Sequence, residues 1–301
     1  MRIEQITVVG TGLIGASFAL AVRKHGFRGR IVGCDREPVL ERARECGAID
    51  AAQPNPIVAA RESQIVILAT PVGTIIDLVE RLGPVLPPDV LLTDVGSTKA
   101  EIVNRARAVF GGAAGERFLG GHPMAGKEHS GVEHADAELF RDAAWLLTPL
   151  PGQNLLAGAC GAYIALLETI GARIMSFDPE QHDRMCAWVS HLPQMVATAL
   201  ASTLLDEFAA EAQSQSEETP AVHSAHLNAV GGRALREMTR IASSPYSMWR
   251  DIALTNSQNI EAALLRLEQR LAHIRENLRG QALKEEFERG NRFRKKVAGS
   301  Q

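Results

Sequence analysis

A glycine-rich turn near the N-terminus constrains the fold of this chain more than any other feature. A β-branched segment from Ile6 to Val9 leads into three closely spaced glycines and then into apolar residues at helical spacing. A strand, tight turn and helix of this kind need glycine for the turn, for close approach of a pyrophosphate, and for close packing of helix on strand. The helix N-terminus then presents free backbone N–H groups to phosphates. The predicted cofactor contacts in this turn are Gly10, Gly12, Leu13, Ile14 and Gly15.

A second strand, Arg30 to Cys34, ends in an acidic residue at the distance expected for a dinucleotide fold. The carboxylate of Asp35 can accept both ribose hydroxyls and would repel a 2′-phosphate, which favours NAD over NADP. Arg36 favours NADP instead, because an arginine at this position can accommodate the 2′-phosphate. Asp35 can also be interpreted as the N-cap of a helix that begins before Pro38.

Two further buried strands, Gln64 to Ala69 and Val90 to Thr93, alternate with helical segments. This alternation predicts a doubly wound, mainly parallel Rossmann-type sheet, whose ligands lie beyond the carboxyl ends of the strands. Thr70, Pro71 and Ser97 follow those ends, so we expect them to line the cofactor cleft. Ser97 has an alternative role as the cap of the next helix.

His122 stands in a glycine-bracketed loop directly after a strand-like pair of residues, again at the carboxyl edge of the predicted sheet. Histidine is the usual proton acceptor near neutral pH, and the proline that follows restricts the backbone before it. An isolated histidine is more often structural than catalytic. The flanking glycines, the position at a strand end and the nearby serine favour a catalytic role here.

Five ordered motifs resemble the prephenate and arogenate dehydrogenases of tyrosine biosynthesis. They extend over most of the chain, from about Ile3 to Asn259. The motifs are the Gly10-Thr-Gly-Leu-Ile-Gly15 turn, Asp94-Val-Gly-Ser-Thr-Lys99, His122-Pro-Met-Ala-Gly126, Ser190-His-Leu-Pro193 and Met248-Trp-Arg-Asp-Ile252.

The resemblance implies an NAD-dependent oxidative decarboxylation of prephenate to 4-hydroxyphenylpyruvate, with arogenate as the alternative substrate. By the family pattern His122 accepts the hydroxyl proton, and Ser97 orients that histidine or contacts the hydroxyl. Arg250 matches a position that binds a substrate carboxylate, which suits its forked donors. Asp251 offers Arg250 a structural salt bridge instead.

Ser190 and His191 match a segment that the family places beside the substrate. Many relatives have a second histidine where this chain has Gln194. An acidic contact would favour the ammonium of arogenate, so an uncharged glutamine favours prephenate. Lys127 replaces a small hydroxyl residue and either adds positive potential for a dianionic substrate or points into water. Pro193 removes a backbone donor and predicts a bend if it lies in a helix.

With 301 residues, the chain is long enough for two domains. We predict a dinucleotide-binding domain over 1–178 and a helical substrate and dimerisation domain over 179–301. Apolar residues from Ile260 to Leu278 alternate spacings of four and three, a heptad seam that packs on its own domain or on a second subunit. The family forms dimers through its helical domains, so the resemblance implies a homodimer. A polar loop is predicted over 211–226, where His223 and His226 lack a third metal ligand, so we predict no metal.

The net charge of −3 does not indicate a nucleic-acid-binding protein, which usually has a strongly basic surface. The four cysteines form no paired motif, and no segment reaches the ~18 apolar residues of a membrane span. The N-terminus has no apolar region of the length that a signal peptide needs, so we expect a cytoplasmic protein. About twenty residues follow the seam, too few for a regulatory module, so tyrosine feedback is expected in or near the active site.

Two competing functions share this domain plan. A β-hydroxyacid dehydrogenase would place a lysine base in the helical half, which has no lysine before Lys284. A non-catalytic dinucleotide sensor would have no need of the serine, histidine and arginine that stand at the matching positions.

Overall fold

A computed structural model of the chain describes residues 1–127, 129–214 and 220–298, and the side chains of 209–226 and 228 lie outside that description. The N-terminal half alternates strands and helices, as the sequence predicts. The strands are β1 (Gln5–Val9), β2 (Arg30–Cys34), β3 (Ala51–Ala52), β4 (Ile65–Leu68), β5 (Leu91–Asp94), β6 (Phe118–Pro123), β7 (Ala144–Thr148) and β8 (Arg173–Ser176). The helices among them are α1 (Leu13–Lys24), α2 (Glu37–Glu45), α3 (Pro56–Ala60), α4 (Val72–Leu82), α5 (Ala100–Phe110), α6 (Ala114–Arg117) and α7 (Gly158–Thr169).

The eight strands form one sheet in the order β3-β2-β1-β4-β5-β6-β7-β8. All neighbouring pairs are parallel except β6 and β7, which are antiparallel. The first six strands therefore have the order of a doubly wound dinucleotide-binding sheet. The predicted fold class is confirmed.

Helices cover both faces of this sheet because alternate residues of the central strands point to opposite sides. Ile65 and Ile67 of β4 pack with α1, α2 and α7, while Val66 and Leu68 pack with α3, α4 and α5. All four side chains are fully buried, and each contributes roughly 1.5–3 kcal/mol to stability by leaving water. This two-sided core fixes the carboxyl ends of the strands, where the predicted site residues stand.

The chain after the sheet is helical. Its helices are α8 (Pro179–Cys186), α9 (Leu192–Ser214), α10 (Pro220–Thr239), α11 (Tyr246–Thr255), α12 (Ser257–Glu276) and α13 (Gln281–Ala298). The polar loop predicted over 211–226 is wrong for 211–214 and 220–226, which are helical, and 215–219 lies outside the described residues. No helix in the described ranges combines the length and apolar content needed to cross a bilayer.

The helical half has a small core of its own, in which Ala187, Ile252 and Ile260 are buried. The predicted heptad seam begins on α12, but its last member, Leu278, lies beyond the end of that helix and is 60% exposed. Leu271 is also more than half exposed. Much of the apolar surface of these helices is therefore not covered within one chain.

Candidate active site

The glycine-rich turn has the geometry that its three glycines predict. Gly10 has a φ of +93°, in the left-handed region that favours glycine. A Cβ on Gly15 would lie 2.0 Å from the carbonyl oxygen of Gly10, so the helix packs against the turn only without a side chain there. A Cβ on Gly12 would meet no protein atom within 4 Å. The turn is thus closed towards the sheet and open on the side that faces a ligand.

The start of α1 is free for an anion. Its N-cap, Gly12, has no side chain to cap the helix, and no acidic residue stands in the first turn. Leu13 and Ile14 form that first turn and are half-buried. Unpaired N–H groups and the positive end of the helix dipole together suit a phosphate group.

Asp35 lies beside this turn at the end of β2. Its carboxylate accepts hydrogen bonds from the backbone N–H of Thr11 (2.8 Å) and of Arg36 (2.7 Å). The additional role of Asp35 as a helix cap, which is compatible with cofactor binding, is not observed, because the N-cap of α2 is Arg36. Arg36 is exposed. The carboxylate is therefore held at the strand end, where a ribose is expected.

Thr70 and Pro71 connect β4 to α4 next to the glycine turn. The Thr70 hydroxyl is buried and has no partner among the described residues, while Pro71 is the exposed N-cap of α4. A buried polar atom without a partner is costly, and a bound ligand group would satisfy it. The open Gly12 surface, the Asp35 carboxylate and this orphaned hydroxyl together fit a dinucleotide.

Ser97 lies between β5 and α5, half-buried and without a side-chain hydrogen bond to the described part of the protein. Its alternative role as the cap of α5 is wrong, since the cap comes from the helical half of the chain. The carboxylate of Asp183 accepts hydrogen bonds from the backbone N–H groups of Lys99 (2.7 Å) and Ala100 (2.9 Å). The Ser97 hydroxyl is left available to a ligand.

His122 lies on β6, where its ring meets a second histidine from α8 instead of Ser97. The Nδ1 atom of His122 lies 2.9 Å from Nε2 of His182, and Nδ1 of His182 lies 2.8 Å from a carboxylate oxygen of Asp183. His182 and Asp183 are each 1% exposed. Three side chains from the two halves of the protein thus form one chain of hydrogen bonds, in which His182 and Asp183 are buried and His122 is half-buried.

This chain of hydrogen bonds determines where the proton of each imidazole resides. An ionised carboxylate only accepts, so His182 donates from Nδ1 to Asp183 and its Nε2 carries a lone pair. His122 must then donate from Nδ1 to that lone pair. The Nε2 atom of His122, which has no partner in the described part of the protein, is left as a free proton acceptor.

The surroundings also keep His122 neutral. Burial lowers the pKa of His122 well below its usual value of 6.5, and repulsion from His182, Lys99 and His191 in their protonated forms lowers the pKa further. A neutral imidazole with a lone pair on Nε2 is the form required of a general base.

A buried ion pair supports the strand that carries His122. The Lys99 ammonium pairs with the Asp94 carboxylate and donates to the carbonyl of Gly121 (2.7 Å). The other oxygen of Asp94 accepts from the Gly121 N–H (3.3 Å). Burial lowers the pKa of Lys99, and the Asp94 charge opposes that shift. Both backbone groups of the residue before His122 are therefore fixed by one pair.

His191 and Gln194 extend the site from the helical half. His191 is buried, its Nδ1 accepts a hydrogen bond from the Asn256 amide (3.1 Å), and its ring lies edge-on to Trp249. Burial lowers the pKa of His191 to about 4. The Gln194 amide donates to the Thr198 hydroxyl (3.2 Å).

Pro193 follows a π-helical turn over Ala187–His191 and lies in the first turn of α9. A proline at this point has no N–H to continue the ladder, and a π-helical turn accommodates the missing bond. Ser190 is half-buried within this turn. The predicted irregularity near Pro193 therefore widens the helix at the residues expected to face substrate.

Arg250 forms the salt bridge that was its alternative role. Its Nε and one terminal nitrogen lie 3.0 and 2.9 Å from one oxygen of Asp251, whose other oxygen accepts from the N–H of Gly73 at the start of α4 (3.0 Å). The Arg250 side chain is 56% exposed, so part of its fork faces solvent. Lys127 pairs with Asp136 (3.1 Å) and with the carbonyl of His134 (2.9 Å), so its charge is partly neutralised within its own loop.

Sequence reasoning did not identify His182, Asp183, Lys99 and Asp94 as site residues. Lys99 and Asp94 stand inside a quoted motif, where only Ser97 was assigned a role. His182 and Asp183 follow the helix start at Asp178-Pro179. The sequence signal for His182 and Asp183 is that both are polar residues on the inward face of a short helix. No local pattern connects His182 to His122, which lies 60 residues earlier.

A dinucleotide turn on a Rossmann sheet, joined to a helical half through a buried histidine pair, defines a two-domain, nucleotide-dependent dehydrogenase. Residues 18–176 match the family described as prephenate dehydrogenase, nucleotide-binding domain, and residues 178–292 match prephenate dehydrogenase, dimerization domain. The chain belongs to the prephenate dehydrogenase family.

Individual relatives agree with this assignment. The chain is 36% identical to a prephenate dehydrogenase from Lactococcus lactis, with 97% of this chain and 77% of that protein covered. A crystal structure of the Aquifex aeolicus prephenate dehydrogenase in complex with hydroxyphenyl propionate and NAD+ superimposes with a TM-score of 0.79, at 31% identity over 100% of this chain and 98% of that one. Synechocystis arogenate dehydrogenase gives a TM-score of 0.75 at 28% identity, covering 97% and 99%.

Proposed function

We propose that this protein catalyses the NAD-dependent oxidative decarboxylation of prephenate to 4-hydroxyphenylpyruvate. The observation that carries the proposal is the hydrogen-bond chain from Asp183 through His182 to His122, which leaves a neutral acceptor nitrogen at the carboxyl edge of the sheet. Membership of the prephenate dehydrogenase family supplies the substrate class.

The cofactor in this proposal is NAD, which when bound supplies the hydride acceptor. Gly10, Gly12 and Gly15, with the first turn of α1, would hold its pyrophosphate, and the orphaned Thr70 hydroxyl would bond one of its polar groups. Asp35 would accept the ribose hydroxyls. A 2′-phosphate would place two negative charges side by side, so NADP is disfavoured.

The chemical step requires one reversible proton transfer by His122. Nε2 takes the substrate hydroxyl proton while the ring carbon that bears the hydroxyl loses its hydride, which turns the alcohol into a ketone. Loss of the ring carboxylate as carbon dioxide then makes the ring aromatic and leaves a phenolate oxygen. His122 returns its proton to that oxygen, so no net proton is released.

His182 and Asp183 stabilise the charged state between those two transfers. When Nε2 of His122 is protonated, its Nδ1 proton can shift towards His182, whose far side faces the Asp183 carboxylate. Lys99 opposes the positive charge and keeps the resting base neutral. The base is thus ready to accept a proton at pH 7 and able to release it after decarboxylation.

Substrate binding in this proposal involves Arg250, Ser190, His191 and Gln194, with Ser97 at the reacting hydroxyl. The solvent-facing part of the Arg250 fork would bind a carboxylate of prephenate. Gln194 and the neutral His191 offer no negative charge to an ammonium group. Prephenate is therefore favoured over arogenate, the substrate in the name of the Synechocystis relative.

We also propose a homodimer formed through the helical half. Leu265, Leu271 and Trp188 are each about half exposed, and the buried core of these helices is small. The matching family region is named a dimerization domain. A Leu271→Lys variant should shift the mass measured by light scattering towards that of one chain, whereas an unchanged mass would contradict this interface. The cytoplasmic location remains a prediction.

The test of the function is NADH formation by the purified protein with NAD and prephenate, together with identification of the product. We expect 4-hydroxyphenylpyruvate, faster turnover than with arogenate, and little use of NADP. In the His122→Asn variant NAD should still bind while turnover falls ~10²–10⁴-fold, the range for loss of a general base. Full activity in that variant would refute the role of His122, and no reduction of NAD with either substrate would refute the function.

A further inference from the structure

A cysteine outside the proposed mechanism completes a group of three metal-type ligands. Cys186 lies one turn after His182 on α8 and is 2% exposed. Its Sγ is 3.6 Å from Nε2 of His182, and one ligand atom from each of Cys186, His182 and His122 lies within 4.8 Å of the other two. The prediction of no metal rested on His223 and His226, whose side chains lie outside the described residues, and did not consider these three ligands, which come from two distant segments.

The distances suit a tetrahedral ion of the zinc type. Zinc bonds of ~2.0–2.1 Å to nitrogen and ~2.3 Å to sulfur place neighbouring ligands about 3.4 Å (N to N) and about 3.6 Å (N to S) apart. The observed N-to-S distance is 3.6 Å, and the two histidine nitrogens, now 2.9 Å apart, need to separate by roughly half an ångström. Three ligands leave a fourth position for water.

The surroundings of the cluster supply what a metal site usually needs. His182 donates its other ring N–H to Asp183, the carboxylate–histidine arrangement that orients metal ligands. The Lys99 ammonium lies nearby, but the Asp94 and Asp183 carboxylates outnumber it. Burial raises the pKa of the Cys186 thiol to about 12, so a bound ion has to displace the thiol proton. His122 is only half-buried, so it gives an ion access from the cleft.

We propose that His122, His182 and Cys186 form an inhibitory site for zinc or a similar thiophilic divalent cation. The ion binds Nδ1 of His122, Nε2 of His182 and the Cys186 thiolate, whose proton is released to solvent. The proton that lay between the two histidines moves through water to Nε2 of His122. That nitrogen then carries a hydrogen and no longer accepts one, so the metal stops proton transfer. Only the inhibition, and not the binding, rests on the proposed function.

The experiment compares wild-type protein with Cys186→Ala, and uses Cys46→Ala as the control because Cys46 is an exposed thiol that could bind zinc adventitiously. Zinc at one equivalent should lower kcat with little change in KM for NAD, and EDTA should restore it. Cobalt(II) at one equivalent should give a thiolate-to-cobalt charge-transfer band.

The Cys186→Ala variant should fold, as judged by circular dichroism and Tm, and retain activity within about twofold. It should lose the cobalt band and need at least ~10-fold more zinc for inhibition, while Cys46→Ala behaves as wild type.

Two results would overturn the site: no thiolate band at one equivalent of cobalt, or equal zinc sensitivity of wild type and Cys186→Ala. Cobalt binding is read without turnover, so it tests the site even if prephenate is not oxidised. An active enzyme without the cobalt band would leave the proposed function intact and refute the metal site alone.

Discussion

Replacing Asp183 by asparagine should lower both the stability of the protein and its turnover, the latter through the charge of the carboxylate. The carboxylate accepts three hydrogen bonds, from Lys99 N, Ala100 N and His182 Nδ1. An amide of the same shape must turn its NH₂ towards one of these donors. One unsatisfied buried donor costs about 1–3 kcal/mol, and the lost charge at the start of α5 costs about 0.3–1 kcal/mol. We expect a loss of roughly 1–4 kcal/mol in the free energy of unfolding.

The effect on turnover follows from the charge that the carboxylate stabilises. At an effective dielectric constant of ~20, a unit charge ~4 Å away, as on His182, gains about 4 kcal/mol. The His122 ring centre lies 5.1 Å beyond that of His182. At roughly twice the distance the gain is about 2 kcal/mol. Since each 1.36 kcal/mol is a factor of ten in rate, kcat should fall by about 30-fold to 1,000-fold.

The assay is single-turnover NADH formation measured by stopped flow, with urea unfolding of the same samples. Asp251→Asn is the matched control, because Asp251 is also buried and also bonds the first turn of a sheet helix, through Gly73 N. Among the described residues its carboxylate makes no hydrogen bond to an imidazole. It should lose comparable stability and change KM more than kcat. Equal losses of kcat in both variants, or wild-type kcat in Asp183→Asn, would show that the carboxylate acts only as a helix cap.

Three further predictions concern the glycine-rich turn, Asp35 and His191. Gly15→Ala should lose about 1–3 kcal/mol of stability because its methyl group meets a backbone oxygen, whereas Gly12→Ala should keep the wild-type Tm and bind NAD more weakly, as thermal melts and NAD titrations would show. Asp35→Ser should narrow the preference for NAD over NADP by at least ~10-fold, measured as the ratio of kcat/KM values. His191 has a folded pKa of about 4 against the ordinary 6.5, so the unfolded chain takes up a proton first as pH falls, and stability should drop by up to about 3 kcal/mol between pH 6.5 and pH 4. Urea unfolding across that range should give a shallower pH slope for His191→Gln than for wild type, and identical slopes would contradict the shift.

The first half of the sheet was predictable because its signals are local. Strand β2 was predicted with the observed bounds, and β1, β4 and β5 to within a residue at each end. The strands β3, β7 and β8 were missed, since β3 has only two residues, β7 contains Trp145 and two leucines without clear alternation, and β8 is largely exposed. The position of β7 depends on the packing of Trp145 against Phe18 and Tyr163, which sequence periodicity does not report.

The candidate site was predictable only where a residue type sits in a motif. The position of His122 at a strand end follows from the sequence around it, and its free nitrogen does not. That nitrogen is determined by His182 and Asp183, which belong to a helix of the other half of the chain. Similarly, the partner of Arg250 was foreseen because Asp251 is adjacent, whereas the bond from Asp251 to Gly73 joins residues 178 apart.

The two aspartates that reach from the helical half have a consequence for where anions can bind. The helices α1, α4 and α5 follow the central strands β1, β4 and β5, and all three begin at the same edge of the sheet. Asp251 and Asp183 already place carboxylates at the starts of α4 and α5. No carboxylate caps the N–H groups of the first turn of α1, because Asp35 bonds Thr11 N, which precedes the helix. By filling two of three equivalent sites with its own charges, the protein directs a phosphate-bearing ligand to the third, and a separated sheet domain would lose that discrimination.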